Sequence, residues 1–212
     1  MCGRYTLTVD SADRLGELLD AEVDPTDAAQ HRPRFNLAPT DQTWVLTDDG
    51  GRRLGRGRWG WGARGDGLIN FRAERLAAAE RAGKLQKARP CLVPADGFYE
   101  WRGDRGHRQP LWFHGRGGRV LTFAGLYHPT SHGPSFVILT VPANDVVRAA
   151  HDRMPAILDA ERGQEWLDSG SSALLVPASP SLLVATPVSE RVNSVAHDDP
   201  TCLDPPRQTT LF

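Results

Sequence analysis

The sequence predicts a mixed α+β domain built mainly from antiparallel strands, and three observations carry that expectation. Beyond Pro90, short apolar runs recur between glycine, proline and polar turns. Helical patterns are few and short, and they do not alternate regularly with strands as a doubly wound sheet requires. No segment repeats at a fixed period, and 212 residues are enough for one domain with a buried core.

Each element has a local reason. Arg4 to Leu7 reads as a strand, and Asp10-Ser11 caps a helix whose apolar stripe is Leu15, Leu18 and Leu19. An acidic stretch with Pro25 ends that helix, and the turn-rich segment 35–40 follows. Residues 43–46 read as a strand, Asp48-Asp49-Gly50-Gly51 as a hairpin turn, and the arginine-rich segment after it as the return strand. Alanines and spaced charges predict a helix over 73–88. Strands are expected at 91–93, 99–101, 111–114, 120–126, 136–141, 173–176 and 182–185, with short helices over 145–150 and 159–168. From Asp198 the chain turns polar and proline-rich, so the expected division is a domain over 1–197 and a mobile tail over 198–212.

Hydrophobic residues make up 40% and charged residues 24%, with net charge −1, so no global positive field advertises nucleic acid. Lysine appears only as Lys84 and Lys87, and five arginines fall between Arg52 and Arg64, a local stripe suited to phosphate. The three cysteines, Cys2, Cys91 and Cys202, have no paired spacing, which argues against a disulfide framework or a cysteine-rich zinc site. Cys91 reads as a buried strand residue and Cys202 as incidental. No signal-peptide core or membrane-length segment is visible, so a reducing cytoplasm is expected.

Cys2 stands out chemically. Loss of Met1 would leave a thiol and an α-amine on one residue, with ordinary pKa values of about 8.5 and about 7.7–8.0. Such a 1,2-aminothiol condenses with an aldehyde through nitrogen and closes through sulfur into a thiazolidine. The competing reading is that position 2 is small merely to permit methionine removal. Three further islands place polar groups at element–turn junctions: Asn70-Phe71-Arg72-Ala73-Glu74, Pro94 through Trp101, and His151-Asp152-Arg153-Met154-Pro155. With Cys2-Gly3-Arg4-Tyr5 they supply a nucleophile, an amide, a carboxylate and an imidazole, a set for carbonyl chemistry. Read singly, Glu100 is equally an ion-pair partner, His151 a helix-end residue, Asn70 a cap, and Trp59, Phe98 and Trp101 core.

Taken with Phe35 through Thr40, Arg58-Trp59-Gly60, Phe123 through Leu126 and the run from His151 to Leu158, these islands resemble the SOS-response-associated peptidase (SRAP) family. Its members shield abasic sites in single-stranded DNA by covalent cross-linking. The resemblance spans Cys2 to about Pro200. It implies a compact, barrel-like β-rich fold with flanking helices, no metal and no cofactor, and DNA-associated (nucleoid) work as a monomer.

The resemblance assigns Cys2 as cross-linking nucleophile, Asn70 as a hydrogen-bonding holder of the amine or sugar, Glu100 as general acid and base, and His151 as stabiliser of the developing oxygen. An abasic sugar is mostly a closed hemiacetal, so a proton-bearing carboxyl is needed to open it. Beside Phe98, Tyr99 and Trp101, Glu100 is expected above its usual pKa. The DNA-contacting candidates are Arg4, Asn36, Pro39, Trp59, Arg72 and Arg153. After Trp61 the chain departs from the family pattern with the glycine-rich Gly62-Ala63-Arg64-Gly65-Asp66-Gly67, which puts a stacking wedge there in doubt. The terminal Gln208, Leu211 and Phe212 resemble a peptide that docks into bacterial sliding clamps. Two rival functions stay open: an N-terminal-nucleophile amidohydrolase, and a non-covalent single-strand-binding module.

Overall fold

The computed structural model describes residues 2–62, 67–85, 87–104, 108–129 and 133–207. Arg64 and the terminal Gln208, Leu211 and Phe212 lie outside the described residues.

In chain order the elements are β1 (Tyr5–Leu7), α1 (Ala12–Leu19), β2 (Glu22–Val23), α2 (Pro25–Ala28), β3 (Arg34–Leu37), β4 (Gln42–Asp48), β5 (Arg52–Trp59) and β6 (Asn70–Arg72). Then come α3 (Leu76–Arg81), β7 (Arg89–Ala95), β8 (Gly97–Arg102), β9 (Gln109–Gly115), β10 (Leu121–His128) and β11 (Ser135–Pro142). The last are α4 (Asp145–Arg148), β12 (Arg153–Pro155), β13 (Ile157–Leu158), α5 (Ala160–Ser169) and β14 (Leu183–Pro187).

The architecture is the α+β, mainly antiparallel one that the sequence predicts. Antiparallel pairings run β11–β10–β7–β4–β5, and β5 returns to β11 in parallel, with Arg58 opposite Ser135 and Trp59 opposite Phe136. Those five strands therefore close on themselves, which removes exposed sheet edges. A second sheet, in the order β14-β9-β8-β1-β3, packs on this barrel. One aromatic core joins the two: the Tyr5 ring lies 5.1 Å from Trp59 and 6.1 Å from Phe123, and Phe98 lies 6.0 Å from Phe123. Gly125 is needed where β10 is squeezed between β7 and β11. A Cβ there would come within 2.9 Å of both Cys91 Sγ and Val137 O.

The corner between β7 and β8 is held by Asp96. Its carboxylate accepts from the Thr6 hydroxyl, the Thr8 amide and, at 2.7 Å, the Thr8 hydroxyl, fastening β1 to the corner. Gly97 leaves room for Trp112, whose Nε1 would lie 2.2 Å from a Cβ.

Four expectations change. The helix over 73–88 is a 3₁₀ turn followed by α3 alone. Gly83, at φ 67°, ends it, with Gly83 N bonding Glu80 O and Lys84 N bonding Ala79 O, the paired bonds of a Schellman stop. Segment 173–176 is not a strand but a 3₁₀ turn over Ser172–Leu174, between Ser171 and Pro177, where a proline cannot donate to a ladder. The arginine stripe of β5 is largely tied down: Arg52 donates to Leu19 O and Asp20 O, Arg56 to Gln30 O and Gln42 O, and Arg58 to Gly62 O.

The fourth change concerns the boundary at 198. Asp198 accepts from the amides of Phe35 and Asn36 at 2.7 and 2.9 Å and pairs with Arg34. Cys202 is fully buried beside Tyr99, Val188 and Val192, so the chain packs on the domain through Leu203 rather than leaving it. Cys91 is buried in β7, as expected. Among the described residues no helix is long and apolar enough to cross a membrane.

Asp198→Ala removes ion pairs to Arg34 and Arg32 and the carboxylate that accepts from two backbone amides. Its unfolding free energy is expected to fall by about 2–3 kcal/mol, measured by urea denaturation. Wild-type stability would return residues 198–203 to the status of a loose tail.

Candidate active site

The site is assembled around the first residues of the chain. β1 pairs antiparallel with β8, Tyr5 opposite Phe98, and with β3, Tyr5 opposite Leu37. Tyr99 N donates to Arg4 O at 3.0 Å. That register carries Cys2 and Gly3 alongside Glu100 and Trp101. From the barrel side, β6 runs parallel to β11 with Asn70 opposite Ile138. Asn70 Nδ2 donates to Cys2 O at 2.7 Å. A carbonyl only accepts, so this bond sets the amide's orientation. It leaves Asn70 Oδ1 buried with no partner among the described residues.

Cys2 is fully buried, its Sγ 3.5 Å from Arg4 O. Burial pushes the thiol pKa up, and the charge of Glu100 adds to the effect. In this state the thiol keeps its proton and is a poor nucleophile. Glu100 sits mid-strand in β8, only 5% exposed. Burial pushes its carboxyl up to about 7, against the opposing pull of the positive chain terminus. A carboxyl in that range both gives and takes protons near neutrality.

His151 follows α4, its amide bonded to Val147 O at 3.0 Å. Arg153 N donates to His151 Nδ1 at 2.9 Å, so the neutral ring carries its proton on Nε2. Asp152 Oδ1 also lies 2.9 Å from Nδ1, a contact that attracts only a protonated ring. Burial, together with the positive chain terminus, lowers the His151 pKa and favours the neutral form. Gly3, Arg4, Glu100, Trp101, Arg108 and His151 line one open cleft of about 520 Å³. Cys2 and Asn70 lie in the protein interior beside it. Among the described residues no cluster of histidine, cysteine or carboxylate side chains is arranged to hold a metal ion.

The structure thus brings together Cys2, Asn70, Glu100 and His151, which are far apart in sequence. The residues expected to face DNA divide differently. Arg72 is exposed and Pro39 half-buried, next to exposed Thr40. Asn36 is 1% exposed, and its amide donates to Val192 O, Ser194 O and His197 O while accepting from Arg4. It pins the C-terminal segment and has no surface of its own. Trp59 is wholly buried, its Nε1 bonded to Ile69 O at 2.9 Å, and serves the core instead of a stacking platform.

Arg153 is 8% exposed, forked onto Glu74 at 2.6 and 2.8 Å and bonded to Thr140 O. It clamps the turn after β6 to β12 and so joins the Asn70 and His151 segments. Arg4 donates to Asn36 Oδ1 and Val192 O at 2.8 and 2.7 Å. Arg108 was not singled out from the sequence. It is one arginine among many in a hairpin loop, and only the folded cleft distinguishes it.

The sequence model of the SOS response associated peptidase (SRAP) family matches residues 1–195. The chain is 32% identical over 224 residues to the abasic site processing protein YoqW of Bacillus subtilis, covering 96% of this chain and 99% of that protein. It is 30% identical over 265 residues to the abasic site processing protein HMCES of Gallus gallus, covering 97% of this chain and 78% of that one. A crystal structure of a Bacteroides thetaiotaomicron protein shares the fold, with TM-score 0.81 at 19% identity and 96% and 99% of the two chains covered. The chain belongs to the SRAP family.

The raised Glu100 value has a thermodynamic consequence. An unfolded glutamate titrates near 4.3, so folding takes up a proton at intermediate pH. Stability then falls as pH rises from about 4 through about 7 and levels off above that. Glu100→Gln is expected to be the more stable protein at pH 8, by about 3–4 kcal/mol, with the gap closing near pH 4. Thermal melts across pH measure it, and a constant gap would mean that Glu100 titrates normally.

Proposed function

We propose that this member of the SRAP family captures abasic sites in single-stranded DNA through a thiazolidine on Cys2. Met1 is removed first, which frees the Cys2 α-amine. Glu100, about half in its acid form near neutrality, donates a proton to the ring oxygen of the closed sugar while the anomeric hydroxyl gives up its proton to water, so the ring carbon–oxygen bond breaks and the aldehyde forms. The amine attacks the carbonyl carbon and water leaves, forming a carbon–nitrogen double bond. The thiol then adds across that bond: sulfur bonds to carbon and the thiol proton ends on nitrogen. The net change is aldehyde plus aminothiol giving thiazolidine plus one water.

Asn70 holds the Cys2 main chain through Nδ2, and its buried Oδ1 is an acceptor for the amine or for a sugar hydroxyl. The Nε2–H of neutral His151 is a donor for the sugar oxygen as charge develops. The observation that supports this reading most is the meeting of a carboxyl titrating near 7 with a neutral imidazole in one cleft beside residue 2. The names of the relatives, which process abasic sites, support the same substrate.

A Schiff base also acidifies the adjacent sugar proton, so slow β-elimination is an expected side activity. The peptidase in the family description is read as removal of Met1 by this site. Gln208, Leu211 and Phe212 are carried as a docking peptide for a bacterial sliding clamp, tested by calorimetric titration with and without residues 208–212.

Intact-mass spectrometry with an abasic oligonucleotide tests the mechanism. Wild type is expected to lose Met1 and gain the oligonucleotide less one water. Cys2→Ala should give no heat-stable adduct. Glu100→Gln should retain Met1 and so form no thiazolidine, and once Met1 is removed by an added aminopeptidase it should cross-link about 10²–10⁴ more slowly than wild type. Normal adduct yield from Cys2→Ala would overturn the thiazolidine. Complete Met1 loss in Glu100→Gln would assign that step to another enzyme.

A further inference from the structure

The cationic groups near the cleft are not equivalent. Arg4 is half-buried and directs N–H groups at Asn36 Oδ1, Val192 O and Asn193 O, at 2.8, 2.7 and 3.3 Å. Arg153 is closed onto Glu74 and Thr140. Arg72 is exposed but does not line the cleft. Arg108 lines the cleft with Glu100 and His151, is exposed, and makes no hydrogen bond or ion pair among the described residues. Its backbone has a firm anchor on the following side, where β9 begins and Gln109 Nε2 donates to Val188 O at 2.8 Å.

We propose that Arg108 is the phosphate-binding residue of this cleft, gripping a DNA backbone phosphate next to the reacting sugar. The proposal rests on the abasic-site reading and adds a residue that the family resemblance did not supply. The chemistry is direct. Every internal nucleotide has a phosphate on both sides of its sugar, so a sugar presented to Glu100 brings one to the cleft mouth. A guanidinium with no hydrogen-bond partner among the described residues can take two phosphate oxygens at once. The carboxylates facing it do not cancel this charge. Glu100, its carboxyl pushed up to about 7, is only about half ionised near neutrality, and Asp152 is 81% exposed to solvent.

Arg108 therefore orients the strand, while Arg4 and Arg153 serve the protein's own framework. The phosphate contact is electrostatic and sequence-blind, which suits a site that must accept any flanking base.

The test uses the full chain and an oligonucleotide carrying a tetrahydrofuran abasic analogue, which lacks the aldehyde and reports binding alone. Fluorescence anisotropy is measured over a salt series for wild type, Arg108→Gln, Arg108→Lys and Arg102→Gln. Arg102 is exposed on the same hairpin but does not line the cleft. Arg108→Gln is expected to weaken binding about 5- to 10-fold at low salt and to flatten the salt dependence by about 0.7 in log–log slope. Arg108→Lys should keep that slope, and Arg102→Gln should behave as wild type.

Wild-type affinity and slope in Arg108→Gln would overturn the assignment. So would an equal loss in Arg102→Gln, which would make the effect one of general charge. Equal melting temperatures for wild type and Arg108→Gln are expected, since the side chain is exposed. Cross-linking of a natural abasic oligonucleotide by wild type separates the two levels: if wild type forms no adduct, the abasic-site reading falls, whereas normal adduct with an unaffected Arg108→Gln removes only Arg108.

Discussion

The main chain of Cys2 is held on one side by the Asn70 amide and on the other by the pairing of β1 with β8, and both contacts are shielded from water. A short segment near the start of a chain would otherwise fray, because ordering each residue costs about 1–2 kcal/mol of backbone entropy. Here that cost is offset by Tyr5 and Leu7, both buried in the main core, and by Asp96, which accepts from Thr6 and Thr8. Residue 2 is thereby placed beside Glu100 with the accuracy of a strand rather than that of a loop. Chemistry that needs an amine, a thiol and a carboxyl at one carbonyl carbon depends on this placement.

The groups at the site are arranged at some expense to stability. A buried carboxyl titrating near 7 and a buried amide oxygen without a partner among the described residues both oppose folding relative to apolar replacements. The framework around them is correspondingly rigid. The Arg153–Glu74 fork and its bond to Thr140 O tie β12 to the turn after β6, and those two segments carry His151 and Asn70. Neutralising Arg153 would leave a charge deficit inside the protein as well as loosening both segments, so its effect on any activity would mix structure with function.

The C-terminal segment belongs to the same framework. Asp198 binds the backbone of β3, Asn36 gathers three carbonyls from residues 192–197, and Arg4 reaches across to Val192 and Asn193. Trp101 Nε1 donates to Asn193 Oδ1 at 2.6 Å. Asp198 reads as the start of a tail because its partners in Arg34, Phe35 and Asn36 lie more than 150 positions away. Cys202, fully buried between Tyr99 and two valines, is part of that closure and not incidental.

Composition, turn residues and patterning were enough for the α+β class, for most strand positions after Pro90 and for the cap of α1, because those signals act between near neighbours. The four chemically distinctive residues were also legible, since Cys2, Asn70, Glu100 and His151 sit in islands whose residue types are unusual for packing alone. Closure of the barrel through the parallel β5–β11 contact was not legible, nor was which of the arginine, asparagine and tryptophan candidates stay exposed. Whether Arg4, Asn36, Trp59 or Arg153 points outward depends on what lies across the fold, and Arg108 differs from its neighbours only by lining the cleft. Local sequence decides which conformations a segment favours. Burial and hydrogen-bond satisfaction are properties of surfaces that meet only when distant segments pack, so tertiary structure alone decided which of these polar groups remain available to a ligand.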